Sequence, residues 1–102
     1  MSVLSMMRIQ GDADELVAKM RETIEPVAQR KAPEYGGISS TVVRTDDGIM
    51  IVNMWETEEG RHRMSEDPEV RGALRDAGFP EPHFEAYEVL AYRTPTGAGV
   101  TS

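Results

Sequence analysis

Ile49 to Glu59, IMIVNMWETEE, decides how this chain folds. The seven residues from Ile49 to Trp55 carry one polar side chain, Asn53. A strand with one wet face alternates apolar and polar residues. This one does not, so it reads as a central strand covered on both sides. Thr57 then stands at a helix N-cap position with Glu58 and Glu59 in the first turn. There a hydroxyl can accept a free backbone N–H, and carboxylates meet the positive end of the helix dipole. Trp55 lies where the sheet hands over to the helix, a place from which an indole can wall a pocket.

Upstream, Thr45-Asp46-Asp47-Gly48 reads as a tight hairpin loop with Gly48 available for positive φ. It joins the central strand to an earlier one, Ile38 to Arg44, rich in Thr and Val. Ser2 to Ile9 is a further strand, bounded by Gln10-Gly11-Asp12. A helix starts near Ala13, where Asp12 and Glu15 make a capping arrangement. Leu16, Met20, Ile24, Val27 and Ala28 share one of its faces. Pro26 removes one backbone donor and is expected to bend this helix, because the apolar face continues past it. Pro33 and Gly36-Gly37 end it. Downstream, the spacing predicts a helix from Glu58 to about Glu66, then one opened by Asp67-Pro68. The second turns Val70, Ala73, Leu74 and Ala77 inward and stops at Gly78. Phe84 to Tyr92 is the fourth strand. After Arg93 the tail TPTGAGVTS is small and polar and is expected to be disordered.

The order is β-α-β, a hairpin, then α-α-β, in one domain over residues 1–93. Right-handed crossovers turn this order into a ferredoxin-like α+β fold, βαββαβ, with a four-stranded antiparallel sheet in the order 4-1-3-2. The helices cover one face of that sheet. The other face is apolar too, with Met50, Val52 and Met54 opposite Ile49, Ile51 and Trp55. An open apolar sheet face is an aggregation hazard. The expected remedy is a homodimer packed through that face.

Composition narrows the partners. The chain has 102 residues, a formal charge of −7 and no cysteine. The negative charge argues against nucleic acid and against anionic membrane surfaces, which both call for a basic face. No apolar run approaches the roughly 20 residues of a membrane helix. No basic and apolar leader opens the chain, and a cytoplasmic protein is the expectation. Without cysteine there is neither a disulfide framework nor a thiolate site.

With the apolar strand and its ending Trp55-Glu56-Thr57-Glu58-Glu59 in view, the chain resembles the dimeric α+β barrel proteins. It is most similar to their antibiotic-biosynthesis-monooxygenase-like branch, which carries a W-E-S/T-x-E element at the end of its third strand. The resemblance spans about residues 2–93. It implies cofactor-independent oxidation of a small aromatic or polyketide-like molecule. The same fold also hosts non-catalytic small-molecule binders and structural barrel proteins. Of the functional residues in the quinone-forming members, the Trp carries over as Trp55. The position of their Asn, four residues earlier, is Ile51 here. The Asn, Trp and His of haem-degrading members fall on Met7, on Met64, and on Leu74 or Arg75. Haem is therefore not expected, and no other cofactor is implied.

The candidate catalytic residues are His62 and Asn53; the candidate substrate-binding residues are Trp55, Arg61, Met64 and Met7. An amide in an apolar strand needs partners. Asn53 either bonds a neighbouring loop or helix end, or points into a pocket and holds a substrate oxygen. Trp55 is either a stacking wall or a core residue at the sheet edge. A histidine suits proton transfer near neutrality, and His62 is either a lone general base or a solvated surface residue. His62 and His83 fall toward opposite ends of the fold, so no two-histidine metal site is expected. From Glu56 to Glu69 the one sizeable apolar residue is Met64. Gly60 and Arg61 stand where relatives put apolar residues facing the sheet. A helix packed so sparsely either roofs a cavity or is loosely attached.

Overall fold

The computed structural model describes residues 1–80 and 83–93. The tail expected to be disordered lies outside them. Strand β1 (Val3–Gln10) leads into helix α1 (Ala13–Lys19), capped by Asp12, whose side chain accepts the Glu15 N–H at 3.0 Å. A π-helical stretch, Met20–Ile24, links α1 to α2 (Glu25–Lys31). The Glu25 N–H reaches back to the Met20 carbonyl, one residue further than in an α-helix. This widened turn comes immediately before Pro26, whose ring would crowd a regular preceding turn. The expected bend is thus a local change of helical pitch, and the apolar face runs through it: Met20 is buried, and Leu16 and Ile24 pack on the core.

A short 3₁₀ turn, Pro33–Tyr35, ends this element, and β2 (Gly37–Thr45) and β3 (Gly48–Trp55) form the hairpin. Helix α3 (Glu58–Glu66) follows, capped by the Thr57 hydroxyl on Gly60 N–H at 3.0 Å. Helix α4 (Pro68–Asp76) is capped by Asp67. The Phe79 N–H bonds the Leu74 carbonyl at 2.9 Å and the Gly78 N–H bonds that of Arg75 at 3.0 Å, the paired bonds of a Schellman ending. That turn delivers Phe79 into the core, where it is buried. Strand β4 is shorter than the expected Phe84 to Tyr92; it spans Glu85–Glu88. It pairs with β1 from Val3 to Met6, and Glu88 already stands opposite Val3, the first residue of β1, so β1 has no strand residue left to extend the ladder toward Tyr92.

The sheet order β2-β3-β1-β4 is the expected 4-1-3-2 read from the other edge. Both neighbours of β1, and both of β3, run antiparallel to it wherever they pair. The fold is ferredoxin-like. The core is formed by Met7, Ile9, Ile49 and Ile51 of the central strands, under Ala13, Met20, Ala77 and Phe79. On the opposite face Leu4, Met6, Met50 and Val52 are half-buried, while Val43 and Tyr87 are exposed.

Two glycines have structural reasons that differ from the sequence reading. Gly48 does not adopt positive φ. Its role is close approach: a Cβ there would lie 2.0 Å from the Ile9 carbonyl oxygen. Gly60 is buried, and a Cβ on it would lie 2.1 Å from the carbonyl oxygen of Tyr35. Helix α3 is therefore clamped at its first turn against the 3₁₀ turn and is not loosely attached there. Gly72 in α4 has open space around it, its nearest neighbour being Arg75 Nη2 at 4.0 Å.

The two helical glycines should respond oppositely to alanine. Helix propensity favours both substitutions by about 0.5–1 kcal/mol, and Gly72→Ala is expected to show that gain in denaturant unfolding. Gly60→Ala is expected to destabilise by about 1–3 kcal/mol or more, because the added methyl has no room against backbone. Equal effects of the two would show that α3 does not dock through Gly60.

Candidate functional site

The helix-covered face of the sheet carries a row of side chains set by strand register. Val3 pairs with Trp55, Ser5 with Asn53 and Met7 with Ile51 across β1 and β3. On the other side Asn53 pairs with Ser40 of β2. Alternation places all of these on one face, so Ser5, Asn53 and Ser40 make a polar row across three strands. Two members of that row differ in how their polar atoms are met. Ser5 is 1% exposed, and its Oγ accepts the Trp55 indole N–H at 3.1 Å. Asn53 Oδ1 is buried and has no hydrogen-bond partner.

Above this row lies a cavity of about 320 Å³. Met7, Ile51, Asn53 and Trp55 form its floor, Met20 and Ile24 one wall, and Arg61 and Met64 reach it from α3. Phe84, just before β4, lines it as well. Helix α3 therefore does roof a cavity, although its first turn is firmly docked. The space exists because the α3 side chains next to it are Arg61, Met64 and Ser65, with no branched aliphatic or aromatic residue to fill the gap over the sheet.

Of the six candidates, five meet at this cavity: Asn53, Trp55, Arg61, Met64 and Met7. His62 does not. It is exposed, and its backbone carbonyl accepts the Ser65 hydroxyl at 2.7 Å. Successive residues on a helix turn by about 100°; with Arg61 turned under the helix, its neighbour faces solvent. The assignment of His62 as a general base within the cavity is therefore corrected. Trp55 turns out to be both things the sequence allowed, a buried residue with its N–H satisfied and a cavity wall.

Arg61 is held from two sides. Its Nε and Nη2 donate to Glu58 Oε1 at 2.9 and 2.5 Å, and its guanidinium carbon stands 5.3 Å from the centre of the Phe84 ring. The same contact holds the Glu58 carboxyl below the usual carboxylate range. Among the described residues lining the cavity, Arg61 is the one cation and Glu25 the one carboxylate. No group of three or more His, Asp or Glu among the described residues could hold a metal ion.

Ser5, Phe84 and Glu58 are parts of the site that the sequence reading passed over. Ser5 had a signal: it sits in step with Val3, Met7 and Ile9, so a buried hydroxyl was implied. Glu58 stands three residues before Arg61, within reach on a helix. Phe84 had none, because its role comes from where the chain enters β4.

The most perturbed acid lies outside the cavity. Asp67 accepts the Tyr35 hydroxyl at 2.6 Å, caps α4 through Glu69 N–H at 2.8 Å, and has Lys31 Nζ at 3.2 Å. These donors, the Tyr35 hydroxyl foremost, pull its carboxyl down to about 2. The cluster ties the end of α2, the 3₁₀ turn and α4 together, which is a structural task.

No protein-family model matches the chain, and no curated relative does. Solved structures match nearly all of it. A protein from Deinococcus radiodurans assigned to the antibiotic biosynthesis monooxygenases superposes with a TM-score of 0.63 at 20% identity, covering 92% of this chain and 97% of its own. SnoaB, a cofactor-independent oxygenase from Streptomyces nogalater, gives 0.61 at 13% identity over 92% and 94%. A dimeric ferredoxin-like protein from an uncultured marine organism gives 0.62 at 13% identity over 91% and 90%. The fold is that of the antibiotic biosynthesis monooxygenase-like proteins. At these identities the monooxygenase-like likeness fixes architecture, and the chemistry has to be argued from the cavity.

The Asp67 cluster makes the stability pH-dependent in a defined direction. A carboxyl lowered from 3.8 to about 2 stabilises the fold fully above the unfolded value, and that stabilisation drains away as the pH falls from about 4 through about 2. Asp67→Asn keeps a capping oxygen but cannot titrate. Its thermal midpoint is expected to be lower than wild type at neutral pH, with the gap closing over that acid window. A constant gap down to the lowest pH would refute the assignment.

Proposed function

We propose that the protein binds a small, largely apolar aromatic molecule in the cavity and oxidises it with molecular oxygen without a bound cofactor. The observation that carries the binding half is Asn53 Oδ1, a buried acceptor with no partner beside a largely apolar cavity. An unpaired buried acceptor costs about 1–3 kcal/mol, which a ligand hydroxyl would recover. The oxygenase half is supported by the fold shared with SnoaB and with the monooxygenase-assigned protein.

The reaction that suits such a site is oxidation of an activated CH₂ between two aryl rings. Where the rings also carry a conjugated carbonyl, as in an anthrone, loss of a proton gives an aromatic enolate, which reduces O₂ and bonds to it at carbon; the proton returns to make the hydroperoxide. Loss of water then leaves a carbonyl. The CH₂ and O₂ become C=O and H₂O, so no outside reductant is needed. The chain's own residues hold the ring system against Trp55 and Met7 and hydrogen-bond its oxygen through the Asn53 amide. That amide offers both an acceptor and donors, so it can follow the change from hydroxyl to enolate. Glu25 is the carboxylate available to the departing proton.

A second reading, a non-catalytic binder, is favoured by a different observation: with His62 outside, no histidine lines the cavity among the described residues. Oxygen uptake with a panel of anthrones and quinols separates the two. We expect turnover with at least one, and a loss of roughly tenfold or more in Asn53→Ala, the scale of one well-placed hydrogen bond to a developing anion. Binding of the same compounds without oxygen uptake would leave the binder reading standing.

We further propose a homodimer formed through the uncovered sheet face. Leu4, Met6, Met50 and Val52 sit there with Val43 and Tyr87 beside them, and a second copy is the symmetric way to cover them. Val52→Glu places a charge at the centre of that face without touching the cavity side. Light scattering is expected to show a dimer for wild type and a folded monomer for the variant; a wild-type monomer would end this part of the proposal.

A further inference from the structure

We infer that the cavity selects an anionic aromatic ligand, a carboxylate on an aryl ring system, and that Arg61 is the residue that makes the selection. This rests on the reading of the cavity as a ligand site and adds the charge of what enters it. Arg61 lines the cavity and its side chain is 13% exposed, whereas that of its partner Glu58 is 54% exposed. The guanidinium therefore faces inward while its counter-ion sits on the solvent side. A guanidinium has five N–H donors in a planar fork. Glu58 Oε1 takes two of them, from Nε and Nη2. The remaining donors make no hydrogen bond to a described residue, and the largely apolar cavity lies beside them.

Two further features fit an aryl acid. The Phe84 ring lies 5.3 Å from the guanidinium carbon, so the cation is braced by an aromatic ring as well as by Glu58. Phe84 and Trp55 also give the attached ring system aromatic surfaces to pack on. Glu25, the carboxylate that would oppose an anion, is exposed and therefore screened by solvent. The Glu58 contact acts as a competitor: in the free protein it neutralises Arg61, and a ligand carboxylate shares or displaces it.

Trp55 is the one tryptophan in the chain and lines the cavity, so its fluorescence reports occupancy directly. The test is a matched pair of probes, 2-naphthoate and neutral 2-naphthamide, titrated against the full-length wild-type protein, Arg61→Met and Glu58→Gln. Charge-assisted hydrogen bonds set the scale, so wild type is expected to prefer the acid by roughly tenfold or more. Arg61→Met should bring the acid down to the level of the amide while leaving amide binding within about twofold, because the methionine keeps the apolar stem in place. Glu58→Gln should tighten the acid and leave the amide unchanged. Equal wild-type affinity for both probes would overturn this inference alone. An Arg61→Met variant that lost both probes together would also overturn it, by making Arg61 structural. If neither probe bound wild type, the cavity would not be a ligand site and both readings would fall.

Discussion

The register of β1 against β3 is the constraint on which the rest depends. Eight consecutive pairs, from Val3 with Trp55 to Gln10 with Gly48, lock the two central strands together. Strand side chains alternate, so a slip of one residue would exchange the two faces of a strand. Ile49, Ile51 and Trp55 would leave the helices, and Asn53 would leave the cavity. Gly48 protects this register sterically, since any side chain there would meet the Ile9 carbonyl. The hairpin end is thereby pinned, and the indole-to-Ser5 hydrogen bond pins the other end of the same ladder.

Most of the architecture was legible in the sequence because it follows from periodicity. The apolar strand at Ile49–Trp55, the capped starts at Asp12, Thr57 and Asp67, and the doubled βαβ order left little freedom in topology. Asn53 and Trp55 were placed on one face by the same alternation. The failures have a different physical origin. The length of β4 depends on how far β1 offers it a partner, which no local pattern in Phe84 to Tyr92 reveals. Gly60 looked like a weak point in α3 because its missing side chain was read as missing packing. In the fold the backbone itself makes the contact, against Tyr35. His62 was read as a candidate from its chemistry, but one residue of helical phase separates it from the cavity that Arg61 reaches.

The cavity is a consequence of how α3 is attached. Its first turn is drawn tight to the 3₁₀ turn by Gly60 and capped by Thr57, and its far end runs into Asp67, which is fastened to Tyr35 and Lys31. A helix fixed at both ends cannot settle onto the sheet to close a gap beneath its middle. The residues over that gap are a cation with its own counter-ion, a flexible methionine and a serine, and none fills it as a branched aliphatic or aromatic side chain would. An empty space of this kind loses dispersion contacts along its lining, and leaving Asn53 Oδ1 unpaired adds to the cost. Both costs fall on the lining of the cavity, where the proposed ligand would offset them.

Strand β3 therefore carries two tasks on alternate residues. Ile51, Asn53 and Trp55 serve the cavity, while Met50 and Val52 serve the uncovered face. Because both sets ride on one rigid ladder, whatever covers the outer face also limits how far the cavity floor can flex. The oxidation proposed above would gain from a stiff floor, since a misplacement of about 1 Å can cost two orders of magnitude in rate. Adaptability is left to the other side, where Met20 and Met64 offer unbranched, polarizable surface. The site thus combines a fixed hydrogen-bonding floor with a compliant apolar lining, an arrangement suited to one reactive group presented on ring systems of varied outline.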